Sequence, residues 1–188
     1  MIGTTSTKQN VKTAKLPIEK HIAQIAAGDK NSLAELYGET KTAVYGFALS
    51  ILKNVSDAED VLQDTYLKLW SSAESYSPMG KPMAWILTIT KNLATSRLRE
   101  RGKSADIPED EWLLFQADSP SVSSDDRIVL SAAMKTLTEE ERQIVMLYAV
   151  SGLKHKEIAD LMSLPLSTVL SKYSRSLKKL KNTLKEGK

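Results

Sequence analysis

The sequence of 188 residues contains no cysteine and only two histidines, His21 and His155. Disulfide bonds and thiolate metal sites are therefore excluded, and a histidine-based zinc site is strongly disfavoured. No apolar run approaches the roughly 18 residues that a membrane-spanning helix needs, and the amino terminus lacks the apolar stretch of a signal peptide. Alternating Val, Ile and Thr runs, which predict a sheet, are also missing. We expect an all-α, cytoplasmic protein without a metal or another cofactor.

The net charge of +3 conceals an uneven distribution of charge along the chain. Residues 81–103 hold six Lys and Arg against one Glu, and residues 163–188 hold seven against one Glu. Between these segments, residues 104–126 hold seven Asp and Glu and no basic residue. Two basic segments separated by an acidic one indicate two separate contacts with nucleic acid. For either basic segment alone, a solvated helix face is the alternative.

Composition and helical periodicity predict two small helical domains. Residues 1–16 are polar and predict a disordered leader, and residues 17–103 predict the first domain. Residues 104–126, with two prolines, five serines and the acidic excess, predict a linker. Within it, the Trp-Leu-Leu-Phe segment at 112–115 is apolar enough to dock on a neighbour. Residues 127–188 predict the second domain.

The first domain begins with two predicted helices. One starts near Ile18 and ends at Gly28-Asp29, and the other covers residues 32–52. A third, acidic helix follows, for which Ser56 or Asp57 is the expected N-cap.

Residues 57–70 form this acidic amphipathic helix. On a helical wheel, one continuous apolar arc contains Ala58, Val61, Leu62, Thr65, Tyr66 and Leu69. The opposite side carries Asp57, Asp60, Asp64 and Lys68, with Glu59 and Gln63 at the edge. A magnesium site would need the aspartates to converge on one ion, whereas one exposed face points them outward in parallel. A solvated face and a docking surface for a basic partner helix remain open.

A basic helix follows, for which Pro82 is the expected first residue. Its wheel has apolar residues on two sides, with a polar strip between them that contains Thr88, Lys91, Asn92, Thr95 and Arg99, and Ser96 at its border. Lys and Arg can hold phosphates, and Asn, Thr and Ser can hydrogen-bond base edges. The nearby Trp70, Tyr76 and Trp85 either stack on unpaired bases or belong to the core.

Residues 137–181 have the spacing of a helix-turn-helix, whose last helix enters the major groove of DNA. A helix capped by Thr136 or Thr138 is broken at Gly152; a short helix over 156–162 and a turn at 163–165 precede the last helix. On its wheel, Val169, Tyr173, Leu177 and Leu180 point inward. The outward side carries Ser167, Thr168, Ser171, Lys172, Ser174, Arg175, Lys178 and Lys179. We interpret His21 and His155 as surface residues.

Taken in order, these segments resemble the extracytoplasmic-function (ECF) group of the bacterial sigma-70 family of RNA polymerase sigma factors. Ala27-Gly-Asp29 with Leu33-Ala-Glu-Leu-Tyr37 is similar to the family's opening helices. Residues 57–70 resemble the segment that docks on the β′ clamp helices of the polymerase. Residues 85–101 resemble the helix that reads and melts the −10 promoter element, and residues 137–180 resemble the domain that reads the −35 element.

The resemblance implies a promoter-specificity factor without catalytic residues or metal. Its implied partners are core RNA polymerase, through the β′ clamp helices and the β flap, promoter DNA and an anti-sigma factor that can be membrane-anchored; direct membrane insertion is not implied. The polymerase contacts would be Asp60, Gln63 and Asp64. The −10 contacts would be Lys91, Asn92, Thr95, Ser96 and Arg99, with loop 71–81 receiving an unpaired base. The −35 contacts would be Ser167, Thr168, Ser171, Lys172, Arg175 and Lys178.

Two departures from the family pattern stand out. The family often has Asp where this chain has Ser96. It commonly reads Gly-Thr-Val-Lys-Ser-Arg where this chain has Ser167-Thr-Val-Leu-Ser-Lys172, so Leu170 replaces a basic residue that would contact a phosphate. Two other functions fit part of the sequence. A stand-alone helix-turn-helix regulator leaves residues 57–101 without a role, and a metal-dependent DNA enzyme requires the aspartates to converge.

Overall fold

The computed structural model describes residues 17–101 and 135–186. Within these two ranges it contains only helices: α1 (Ile18–Ala26), α2 (Lys30–Leu52), α3 (Val55–Ser72), a 3-10 turn (Ala73–Ser75), α4 (Pro82–Arg101), α5 (Glu139–Ala149), α6 (His155–Met162) and α7 (Leu166–Glu186). The predicted all-α fold is confirmed. None of the described helices is long and apolar enough to cross a membrane. The predicted leader, the acidic linker with its segment at 112–115, and residues 127–134 lie outside the described residues.

Helix α2 begins two residues earlier than predicted because Asp29 caps it. The Asp29 carboxylate accepts hydrogen bonds from the Asn31 backbone N–H at 2.9 Å and from the Ser32 hydroxyl at 2.8 Å. The Ser32 hydroxyl and the Asn31 N–H lower the pKa of Asp29. Asp29 therefore starts α2, and Gly28, with a φ of +88°, makes the turn after α1.

The first domain packs α1, α3 and α4 around α2. Helix α4 buries Ile86 on one side and Leu87 and Ala94 on the other, which confirms the two predicted apolar faces. The core also contains His21, which is 1% exposed, so the prediction of a surface histidine was wrong. His21 lies between Ile18 and Ile25 in helical spacing and thus shares the inward face of α1.

The second domain contains the predicted helix-turn-helix, α6 and α7, with Ser163 in the turn at a φ of +56°. Val169 and Leu180 are buried as predicted, but Leu177 is 45% exposed. Ser176 is fully buried instead, since its hydroxyl donates to the Lys172 carbonyl at 2.8 Å and needs no other partner.

A buried carboxylate fastens the start of α5 to α7. The Glu141 carboxylate accepts from the Thr138 backbone N–H at 2.9 Å, which forms a capping box, and from Lys179 Nζ at 2.7 Å. Burial opposes ionisation, but the Lys179 ammonium and the Thr138 N–H outweigh it and lower the pKa of Glu141.

Because the pKa of Glu141 is lowered on folding, its contribution to stability is present above the ordinary carboxyl pKa and disappears as the pH falls through the folded value. We expect Glu141→Gln to lower the free energy of unfolding by about 1–3 kcal/mol at pH 7 and to weaken the loss of stability in acid. Urea unfolding of both proteins between neutral and acidic pH measures this. Parallel curves that keep the same separation at every pH would contradict it.

Candidate nucleic-acid interface

An acidic surface, consisting of Asp60, Gln63 and Asp64, lies on the exposed side of α3. The Arg97 guanidinium of α4 crosses to it, with Nη2 at 3.3 Å from Asp60 Oδ2 and 3.9 Å from Asp64 Oδ2. Both aspartate side chains remain about half exposed. This surface therefore keeps a net negative charge and is fixed to α4.

Asp57 does not belong to the acidic surface, since it is only 2% exposed. Helix α3 begins at Val55, and its cap is Asn54, whose side-chain oxygen accepts from the Asp57 N–H at 2.9 Å. The predicted caps Ser56 and Asp57 were therefore wrong. In the first turn, the Asp57 carboxylate is favoured by the positive end of the helix dipole. The described residues contain no group of His, Cys, Asp or Glu that could hold a metal ion.

The basic strip runs along one side of α4 and consists of Lys91, Asn92, Thr95, Ser96 and Arg99. Asn92, Ser96 and Arg99 are exposed, whereas Lys91 and Thr95 are half-buried. Lys91 Nζ donates to the Leu161 carbonyl of α6 at 2.6 Å. The structure thus places all five predicted residues on one helix. Three of them are exposed to solvent, whereas the Lys91 side chain points toward the second domain.

An aromatic cavity of about 430 Å³ lies at the amino-terminal end of the basic strip. Two of its wall residues, Tyr76 and Trp85, have ring centroids 4.8 Å apart at 50°. Glu19 of α1 accepts from the Tyr76 hydroxyl at 3.0 Å and from the Gly80 N–H at 2.9 Å, and so anchors the loop. Burial and Glu19 raise the pKa of Tyr76 to about 12. Glu19 was missed, because a single first-turn acid gives no sequence signal for a contact 61 residues away.

On α7, four of the six predicted −35 residues are exposed: Ser167, Ser171, Arg175 and Lys178. Thr168 and Lys172 are half-buried, and Lys172 Nζ lies 2.8 Å from Glu140 Oε2. Arg175 Nε donates to the Ser171 carbonyl at 3.3 Å, so the two residues lie one turn apart on the same face.

Behind this face, His155 is part of a three-ring cluster rather than an isolated surface residue. Its ring stacks on Tyr148 at 4.6 Å and meets the edge of Tyr173 at 4.8 Å. The rings join α5, α6 and α7, and so fix the turn between α6 and α7.

Comparison with known proteins shows the family of this chain. Residues 36–104 match Sigma-70 region 2, and residues 127–180 match Sigma-70, region 4. The ECF RNA polymerase sigma factor SigK of Mycobacterium sp. (strain KMS) is 30% identical over 171 residues, which cover 87% of this chain and 88% of SigK. The chain belongs to the ECF group of the sigma-70 family. It is therefore a sigma factor, as its sequence predicts.

Other known proteins are also similar to this sigma factor over most of their length. SigK of Mycolicibacterium vanbaalenii is 27% identical over 184 residues, which cover 91% of this chain and 93% of that protein. The sigma factor RpoE of Bartonella quintana, solved in complex with the anti-sigma factor NepR, has a TM-score of 0.59 at 25% identity, covering 81% of this chain and 96% of RpoE. CnrH, solved in complex with the cytosolic domain of CnrY, has a TM-score of 0.58 at 20% identity. The match covers 90% of this chain and 98% of CnrH. The fold is thus shared along nearly the whole length.

Proposed function

We propose that this sigma factor binds core RNA polymerase through its acidic surface and melts the −10 element with the basic strip. The observation that carries the proposal is the contact between the acidic surface and α4, the helix that carries the basic strip. Arg97 of α4 reaches Asp60 and Asp64 of α3, so docking of the acidic surface fixes the position of the basic strip. A basic partner helix suits two half-exposed aspartates, because opposite charges steer and orient association.

In the proposed promoter complex, the aromatic cavity receives one unpaired base. Stacking on Tyr76 and Trp85 contributes about 1–3 kcal/mol per base, which offsets part of the unstacking of the duplex. Asn92 and Ser96 hydrogen-bond base edges, and Arg99 holds a phosphate. No bond of the DNA is broken, so the sigma factor has no chemistry of its own.

The −35 element is read by the exposed face of α7. Ser167, Ser171 and Arg175 follow one another at helical spacing along the side that would enter the major groove. The half-exposed Leu170 adds apolar surface there. Its methyl groups suit a thymine methyl group rather than a phosphate.

Three further parts of the proposal follow from the family. The protein works in the cytoplasm, where its polymerase is. The β flap binds the second domain. An anti-sigma factor binds the protein and holds it inactive; this part is supported by the similar sigma factor RpoE, which was solved in complex with the anti-sigma factor NepR.

Co-elution of the full chain with core RNA polymerase tests the polymerase contact, and sequencing of the genomic fragments that the complex retains tests promoter recognition. We expect a shared motif with two conserved blocks. Tight dimeric binding of one operator without polymerase would instead support a stand-alone helix-turn-helix regulator.

We expect Arg175→Ala to weaken recognition of one base pair of the −35 element by about 1–3 kcal/mol, or roughly 5- to 150-fold. Arg175 is exposed, so the fold should be unchanged. Transcription from promoters with each base at every −35 position measures the preference. Lys185→Ala, at the other end of α7, is the matched control. An unaltered base preference in Arg175→Ala would refute this contact.

A further inference from the structure

The lysines of α7 point in two directions. Lys172 and Lys179 lie toward α5, where their ammonium groups pair with glutamate carboxylates at 2.8 and 2.7 Å. Lys178 and Lys181 are exposed to solvent, and neither takes part in an ion pair among the described residues. The second pair of lysines therefore presents positive charge that the fold of the domain does not use.

Lys178 and Lys181 continue the outward side of α7. Lys178 follows Ser171 by seven residues, and Lys181 follows Ser174 by the same number. Seven residues make nearly two helical turns, so each lysine lies about 20° around the helix from the serine before it. All four side chains are exposed. The two lysines thus extend the face that is proposed to read the −35 element.

The length of α7 places these lysines beyond the base edges. From Ser167 to Arg175 the helix rises about 12 Å, which is also about the width of the major groove of DNA. A helix that crosses the groove over this stretch carries its next two turns to the phosphates at the edge of the groove. An ammonium group on a long, flexible side chain suits a phosphate there.

We propose that Lys178 and Lys181 bind phosphates at the edge of the −35 element, outside the base pairs that α7 reads. The inference rests on the proposed −35 role of α7, and it assigns Lys178 to the DNA backbone rather than to a base. Phosphate contacts fix the register of a protein on DNA but carry no sequence information. The two lysines therefore contribute affinity and salt dependence to promoter binding, and they leave the base preference to other residues.

The helix dipole does not account for Lys178 and Lys181. The negative end of a helix stabilises a cation only within the last turn, and the lysine in the last turn of α7 is Lys185. Lys181 lies five residues before the helix ends at Glu186. No acidic residue precedes Glu186 in α7, so ion pairs along the helix do not account for the two lysines either.

The salt dependence of promoter binding tests the phosphate contact. The holoenzyme, assembled from the full chain and core polymerase, is titrated with a labelled promoter duplex. The variant is Lys178→Ala with Lys181→Ala. Each lost phosphate contact should lower the slope of log K against log salt by about 0.9. For two contacts, the loss of affinity should be roughly tenfold greater at about 50 mM KCl than at about 200 mM.

Two further variants control for charge and for helix structure. Lys30→Ala with Lys185→Ala removes two other exposed lysines and should keep the wild-type slope. Lys178→Arg with Lys181→Arg keeps both charges and should keep the slope as well. A wild-type slope in Lys178→Ala with Lys181→Ala would overturn the proposal. So would an equal fall of the slope when Lys30 and Lys185 are replaced.

Uncharged linkages locate the contact on the DNA. Promoter duplexes that carry one methylphosphonate in place of a phosphate, at each position beside the −35 element in turn, should weaken binding of the wild-type holoenzyme at one or two positions. At those positions the Lys178→Ala, Lys181→Ala variant should lose nothing further. A variant as sensitive as the wild type at every position would contradict the contact.

Failure of this inference is distinct from failure of the proposed function. A wild-type holoenzyme without any base preference at the −35 element would contradict the proposed role of α7. A normal base preference together with an unchanged salt slope in the Lys178→Ala, Lys181→Ala variant would contradict only the phosphate contact.

Discussion

Asp60→Lys combined with Asp64→Lys should lower the affinity of the chain for core RNA polymerase by about 100-fold or more. Reversal of two charges at a complementary interface costs several kcal/mol, and about 2.7 kcal/mol corresponds to 100-fold. The aspartates are half exposed, and both pair with Arg97 of α4. The free energy of unfolding should therefore fall by less than about 1 kcal/mol for each pair lost.

Fluorescence titration of labelled chain with core polymerase measures this affinity, and circular dichroism verifies the fold. Glu74→Lys on the exposed 3-10 turn has the same charge change as the single variant Asp64→Lys and should bind normally. An intact affinity in the double variant would remove the acidic surface from the polymerase interface.

Asn92→Ala combined with Arg99→Ala should reduce promoter opening by roughly 30-fold or more and leave polymerase binding unchanged. The variant loses the Asn92 amide, which would hydrogen-bond a base edge, and the Arg99 charge, which would bind a phosphate. Each contact is worth about 1–3 kcal/mol when its geometry is good. Both side chains are exposed on α4, and neither packs in the core.

The reactivity of unpaired thymines in the holoenzyme–promoter complex measures opening. Glu100→Ala, in the same last turn of α4, should open the promoter as well as the wild type. A double variant that opens the promoter normally while still binding polymerase would place the −10 contacts elsewhere.

Helix positions and the two faces of α4 were predictable because burial repeats with the helical period. The same periodicity misplaced individual residues. Asp57 falls on the polar side of the wheel, but the packing at the start of α3 buries it. Leu177 lies at the edge of the apolar arc and is half exposed, whereas Ser176, seven residues after Val169, lies at the centre of that arc and is buried with its hydroxyl bonded to the Lys172 carbonyl. Periodicity gives the face of a helix, whereas neighbouring elements decide how wide that face is.

Contacts between distant segments could not be predicted from this sequence. Glu19 anchors the loop of the aromatic cavity, and Lys91 reaches α6 across 70 residues. Nothing in the sequence indicates that Arg97 reaches Asp60. Such contacts depend on how helices pack rather than on their own patterns. They are the contacts that connect the acidic surface, the basic strip and the second domain.

The most direct test of the central claim is permanganate footprinting of one promoter with the purified chain and core polymerase together. The claim that a polymerase-docking surface lies beside a promoter-melting strip predicts reactive thymines in the −10 element only when both proteins are present. Asp60→Lys with Asp64→Lys, and separately Asn92→Ala with Arg99→Ala, should each strongly reduce the signal. Melting that is the same with core polymerase alone, or that persists in both variants, would contradict the claim.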